Sequence, residues 1–152
     1  GQTCSQQLIN AYEEYEMPMI SMHEVPLDEV VHYGIMSGNW TDEKERHMML
    51  REIVEKPSVD YAQDHLKVKF KKKEDKYYAV FGQYILTPDV YEVLGKHIRE
   101  NHLVRGEIQL TDALEEVRRT KGMVGCRIQG KSYDVGLPEM YIDTLQNYKK
   151  KP

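Results

Sequence analysis

Apolar side chains recur at helical spacing from Ser5 to Tyr15, where Leu8, Tyr12 and Tyr15 share one face and Ile9 lies beside them. Thr3 and Ser5 precede this stretch as candidate N-caps. After Pro18 the pattern changes to alternation. Met19 to Val25 is predicted as a strand, with Met19, Ser21 and His23 facing one way and Ile20, Met22 and Glu24 the other. Pro26 to Val31 reads as a loop or a single helical turn, Tyr33 to Ser37 as a short strand, and Gly38-Asn39 as a turn. A polar stretch from Trp40 to Arg46 follows. His47 to Glu55 then returns as a strand paired with Tyr33 to Ser37, its Met48-Met49-Leu50 run fitted for burial. Pro57 cannot donate to a ladder, so the strand stops there.

Ser58 to Asp64 carries no clear period and is expected to be a loop. From Leu66 to Phe70 two lysines, Lys67 and Lys69, alternate with Val68 and Phe70. Lysines at a sheet edge discourage pairing with another chain, so this is an edge-strand pattern. Lys71 to Lys76 makes a charged turn, and Tyr77 to Leu86, aromatic and β-branched, is expected at the centre of the sheet. Thr87 and Pro88 open a helix running to about Ile98, with Val90, Val93, Leu94 and Ile98 as its buried stripe and His97 beside it. A second helix begins near Thr111 or Asp112, buries Leu110, Ala113, Leu114 and Val117, and ends at Gly122. Met123 to Gln129 is predicted as a strand and Lys131 to Gly136 as a loop. From Pro138 to about Tyr148 a last helix is expected to turn Tyr141, Leu145 and Tyr148 inward. Strands and helices are interleaved, with hairpin-like pairs among the strands. The expected class is α/β, a mixed sheet with flanking helices.

Composition narrows the picture little. The 152 residues fit one domain, with 40% hydrophobic and 30% charged residues. A net charge of −4 gives no general attraction to nucleic acid or to an anionic membrane surface. Glu74 and Asp75 interrupt the lysine run that begins at Lys71. No apolar run approaches a membrane span. Neither nucleic acid nor membrane is therefore an expected partner. Cys4 and Cys126 lack metal-ligand spacing and are expected as free thiols in a reducing cytoplasm. His23 has no partner at ligand spacing.

The chemistry is concentrated at Glu55-Lys56-Pro57. A residue before proline is expected to be extended, which fixes where Lys56 stands. A carboxylate accepts hydrogen bonds from two sugar hydroxyls, and an ammonium pairs with a phosphate. Glu55 and Lys56 are thus suited to grip opposite ends of a sugar phosphate. They also fit a plain solvated charge pair beside a turn. Gly34, inside a strand, suggests close approach of something to the backbone, or a bulge.

Five segments in order shift this balance: Tyr33 to Met36, Ile53 to Pro57, Ala79 to Leu86, Gly106 to Ala113 and Gly130 to Gly136. The series resembles the C-terminal half of sugar-1-phosphate nucleotidyltransferases. It looks most like the bacterial UTP–glucose-1-phosphate uridylyltransferases, with Glu107 to Ala113 the most telling segment. The resemblance implies the second part of a three-layer, Rossmann-like fold, in a cytoplasmic enzyme acting on glucose-1-phosphate and UTP with Mg2+. By the same resemblance Lys56 binds the sugar phosphate and takes part in catalysis, and Glu55 binds sugar hydroxyls. The Gly34 backbone contacts the sugar with Tyr33 beside it, and Val80 lies against the ring. Asp134 helps hold magnesium, and Arg105 matches a sugar-contacting arginine of thymidylyl-transferring relatives. The family's glycine-rich Gly-x-Gly-Thr-Arg loop and its first metal-binding aspartate do not occur here. Residues 1–152 are therefore expected to be the sugar-phosphate side of the enzyme without its nucleotide half, inactive alone and prone to form homo-oligomers. A thymidylyl- or adenylyltransferase portion, or a noncatalytic sugar-phosphate-binding or assembly module, are the alternatives.

Overall fold

The computed structural model describes residues 1–71, 73–104, 106–130 and 138–147. Helix α1 (Cys4–Tyr15) starts at Thr3, whose hydroxyl accepts the Gln6 N–H, so Thr3 and not Ser5 is the cap. Strand β1 (Met19–Val25) is followed by a 3-10 turn (Leu27–His32), then by strands β2 (Gly34–Trp40) and β3 (His47–Glu55). The short helix α2 (Val59–Tyr61) runs on into one wider turn, Ala62–Leu66. Strands β4 (Val68–Phe70) and β5 (Glu74–Ile85) form a hairpin. Helices α3 (Pro88–Arg99) and α4 (Leu110–Lys121), strand β6 (Val124–Arg127) and helix α5 (Pro138–Asn147) complete the order.

The sheet is mixed, as expected: β1 and β6 run parallel and the other pairs antiparallel. Its pairings form a circuit, β1–β6–β3–β2–β5 and back to β1, with β4 added at the start of β5. Tyr78 and Ala79 of β5 are flanked on both sides, Ala79 by His23 and by Ile35, and both are fully buried. The strand expected at the centre is therefore there. A bulge in the β1–β5 ladder sets Val80 opposite Met22.

Apolar packing falls into three clusters. The first joins the sheet (Met22, Met36, Ile53, Tyr78) to Val90 of α3 and Leu114 of α4. The second lies under the 3-10 turn and the Ala62–Leu66 turn, around Val30 and Ile35. The third seats Leu8 and Ala11 of α1 on Met19 and Val124. Because β1 is covered by helices on both faces, its first four residues are all buried.

Several local expectations are corrected. Gly38 and Asn39 do not turn; they continue β2 across a bulge between Ser37 and Gly38. The glycine is needed for close approach, since a Cβ on Gly38 would fall 2.2 Å from the Met49 carbonyl oxygen. Ser58 to Asp64 is helical rather than a loop, because the Ser58 hydroxyl accepts the Tyr61 N–H and caps a turn too short to show a period. Ile98 is 62% exposed. His97 takes its place one turn beyond Leu94, buried with Nε2 3.0 Å from Glu116 Oε2 of α4. Tyr141 and Leu145 of α5 are also exposed, at 50% and 61%, so among the described residues that helix has no buried apolar stripe. Tyr148 lies outside the described residues.

Candidate functional site

Gly34 opens β2 and Glu55 closes β3, and the two are cross-strand partners. The pairing follows from the sequence on each side. The β2 ladder starts after the 3-10 turn, and β3 ends because buried Pro57 has no N–H to offer. Lys56 lies between. The extended backbone expected for it is not found: its φ is +46°. The chain must leave the sheet directly after Glu55, and the Lys56 N–H still donates to the Tyr33 carbonyl at 2.9 Å. That bond holds a left-handed conformation that a lysine rarely adopts.

Gly34, Glu55 and Val80, each expected at the site, converge. A Cβ placed on Gly34 would lie 3.1 Å from Glu55 Oε2, 3.2 Å from Val80 Cγ2 and 3.7 Å from Thr111 Oγ1. Thr111 sits in the first turn of α4 and donates its hydroxyl to Glu55 Oε2 at 2.7 Å. Sequence reasoning missed this residue. Its signal was present, a hydroxyl at a helix start inside the most telling segment, but its partner lies on another element. Tyr84 is nearby. Burial first, and the Glu55 charge second, hold its phenol above the usual value.

Glu55 and Lys56 line a cleft of about 570 Å3 whose other wall includes Val104, Glu107, Gln109 and Asp112. Among the described residues acids dominate its lining: Glu52, Glu55, Glu107, Asp112 and Glu115, with Lys56 and Arg119 as the described cations. Among the described residues Asp112 Oδ2 is buried with no hydrogen-bond partner. Such a cleft suits a ligand rich in hydroxyl donors, with an anionic group directed to Lys56. A more open groove of about 930 Å3, lined by Trp40, Arg51 and three lysines, contains none of the expected residues. Lys69, one of those lysines, is already paired with Asp75 at 2.7 Å.

Tyr33 contributes its backbone carbonyl to Lys56, while its ring meets the edges of His23 and His32. His23 packs on Tyr33 and Phe81 with its Nδ1 buried and, among the described residues, unpartnered. Arg105 and Asp134 lie outside the described residues. Among the described residues no three His, Cys, Asp or Glu side chains converge on a cation position. These residues alone do not make a magnesium site.

The chain matches the family described as nucleotidyl transferase over residues 2–151. It is similar to the UTP–glucose-1-phosphate uridylyltransferase 2 of Staphylococcus saprophyticus, 32% identical over 145 residues, covering 95% of this chain and 44% of that protein. Among solved structures it resembles an apo UDP-glucose pyrophosphorylase at 31% identity and TM-score 0.74, covering 93% of this chain and 45% of that one. A UDP-glucose pyrophosphorylase complexed with UDP-glucose matches at 31% identity and TM-score 0.71, covering 93% and 47%. The chain spans about half the length of the curated relatives it matches. With the family match running through nearly every residue, and with the mixed α/β fold of these structures, the chain belongs to the nucleotidyl transferase family.

Proposed function

We propose that this chain forms the sugar-phosphate side of a UTP–glucose-1-phosphate uridylyltransferase. The observation that carries this reading is the convergence of Glu55, Val80 and Thr111 on the space beside Gly34, with Lys56 next in the chain. In the reaction, an oxygen of the sugar phosphate attacks the α-phosphorus of UTP, the new P–O bond forms, and pyrophosphate leaves. Glu55 binds sugar hydroxyls that do not react, and Val80 lies against the ring. The Gly34 backbone lets the sugar come close. The Lys56 ammonium pairs with the phosphate, orients its attacking oxygen and balances charge as it is redistributed. Mg2+ belongs to the proposal as counter-charge for the phosphates, with Asp134 as a ligand. The relatives' names support UTP and glucose-1-phosphate as substrates, and the structure holding UDP-glucose supports the product.

Calorimetric titration of the 152-residue chain with glucose-1-phosphate tests the sugar side directly. Glu55→Gln keeps the shape and removes the charge, so it should weaken binding roughly tenfold to a hundredfold, the scale of a hydrogen bond to a charged acceptor. Lys56→Met should weaken glucose-1-phosphate and flatten the salt dependence of binding, because the phosphate loses its cation. No binding by the unmodified chain, or equal binding by all three proteins, would overturn the site.

A further inference from the structure

The second edge of β3 is incompletely covered by strands. β6 pairs with His47, Met48 and Met49, and the Leu50 N–H donates to the Met123 carbonyl. Beyond that point α4 supplies the partners through side chains. Glu115 Oε2 accepts the Ile53 N–H at 3.1 Å, and Arg118 Nη1 donates to the Leu50 carbonyl at 3.4 Å. The two side chains are also joined to each other by a fork of two bonds, 2.7 Å and 2.8 Å. Arg119 adds a third donor to Glu115 at 2.9 Å. With side chains only 13% and 15% exposed, Glu115 and Arg118 form a side-chain clip on an edge that would otherwise leave buried backbone groups unpaired.

This clip lies next to the site on both elements. Ile53 is two residues before Glu55 on β3, and Glu115 is one helical turn after Thr111 on α4. Helix and strand end are therefore tied at two points, Glu115 to Ile53 and Thr111 to Glu55. The buried Leu114 and Val117 and the Arg118–Leu50 bond seat α4 on the sheet, and these two ties fix its register at the end of β3. We propose that Glu115 is a positioning residue for sugar-phosphate binding, setting the Thr111 hydroxyl on Glu55 Oε2 so that Oε1 is presented to the ligand. The Ile53 N–H is the contact through which it acts. This inference rests on the sugar-phosphate reading of the Glu55 site.

The test compares Glu115→Leu with Glu115→Gln in the whole chain, using glucose-1-phosphate as ligand. Leucine removes the acceptor for Ile53. Glutamine keeps an acceptor oxygen there but loses the charge that pairs with Arg118 and Arg119. Amide exchange at Ile53 and the affinity for glucose-1-phosphate are measured on each. Glu115→Leu should exchange the Ile53 amide about tenfold faster and bind about tenfold more weakly, while Glu115→Gln stays within about threefold of the unmodified chain in both. A general stability role predicts no such ordering: the folded molecules would all bind alike. Equal affinities in folded variants, or Glu115→Gln as weak as Glu115→Leu, would overturn the proposal. If Glu115→Leu does not fold, Glu115→Asp replaces it, keeping the charge but drawing the carboxylate back from Ile53, and the same loss of affinity is expected. If the unmodified chain binds no glucose-1-phosphate, the sugar-phosphate reading fails by itself. The clip is then judged by the Gly34, Glu55 and Thr111 amide resonances: a shift in Glu115→Leu but not in Glu115→Gln supports it, and no shift in either refutes it.

Discussion

His23 is held where a charge is unwelcome. Its ring meets Tyr33 and Phe81 edge-on, and its Nδ1 is buried without a partner among the described residues. Burial pushes its pKa below the usual imidazole value, and the Glu29 charge offsets this only in part. The folded state therefore binds a proton less readily than the unfolded chain. The resulting stability is fully present above the unfolded value of about 6.5 and is lost as pH falls below it toward the folded value. His23→Phe keeps the aromatic contacts and removes the titration. Urea unfolding at pH 7.5 and at pH 5 should show the variant losing less stability than the unmodified chain over that interval. A difference between the two proteins that does not change with pH would mean that the ring protonates freely in the fold. At this scale the sequence singles out residues only by their immediate neighbours in the chain. Glu55 and Lys56 announce themselves as an acid and a base before a proline, and Gly34 as a glycine inside a strand. Thr111 did not, because its partner Glu55 is 56 residues away and only packing of α4 on β3 brings them together. Glu115 was invisible for the same reason: its partner is a backbone N–H, which has no signature in a sequence.

The end of β3 carries a conformational cost that belongs to the element rather than to any side chain. A left-handed residue other than glycine costs on the order of 1 kcal/mol or more, and Lys56 adopts that conformation directly before a proline. Such strain persists only where surrounding contacts impose it, here the bond from the Lys56 N–H to Tyr33 and the buried Pro57. Lys56→Gly removes the steric penalty and the ammonium together. The variant should unfold at the same or a higher urea concentration than the unmodified chain, yet bind glucose-1-phosphate at least tenfold more weakly. Stability and binding would then move in opposite directions. A variant that is less stable by 1 kcal/mol or so would show instead that the lysine side chain contributes packing and that its backbone is unstrained. The same element shows what periodicity can and cannot supply. Helices α1, α3 and α4 were legible because their apolar stripes repeat over a dozen residues. The outward turn of Ile98 was not, since His97 is drawn inward by Glu116 on a neighbouring helix. The continuation of β2 through Gly38 was hidden because a glycine–asparagine pair that normally marks a turn here serves close approach of two strands.

For the whole molecule, the mixed α/β class and the order of elements followed from the pattern, whereas the circuit of strands did not. β1 pairs at once with β5 and β6, and no local signal specifies partners so far apart in the chain. The cleft that results is chemically one-sided. Its carboxylates suit hydroxyls, and among the described lining residues only Lys56 and Arg119 are cationic. A nucleoside triphosphate is far more anionic than a sugar monophosphate, so on the proposed reading the described carboxylates should disfavour it more than the sugar phosphate. Transfer also requires donors and charges positioned on the leaving pyrophosphate, each worth orders of magnitude in rate. The sequence contains no Gly-x-Gly-Thr-Arg loop to supply them. These 152 residues by themselves should therefore bind glucose-1-phosphate but release no pyrophosphate from UTP at ordinary enzyme rates, on the order of 1 per second or above. Pyrophosphate release is measured with both substrates and Mg2+ present, alongside titration of each substrate separately. Turnover at such rates would show that the described cleft suffices for both halves of the reaction. Binding of UTP in preference to glucose-1-phosphate would reverse the assignment of the cleft, because it would mean that Lys56 and Arg119 outweigh five carboxylates for a polyanion. Glucose-1-phosphate binding without turnover is the outcome expected on the proposed reading.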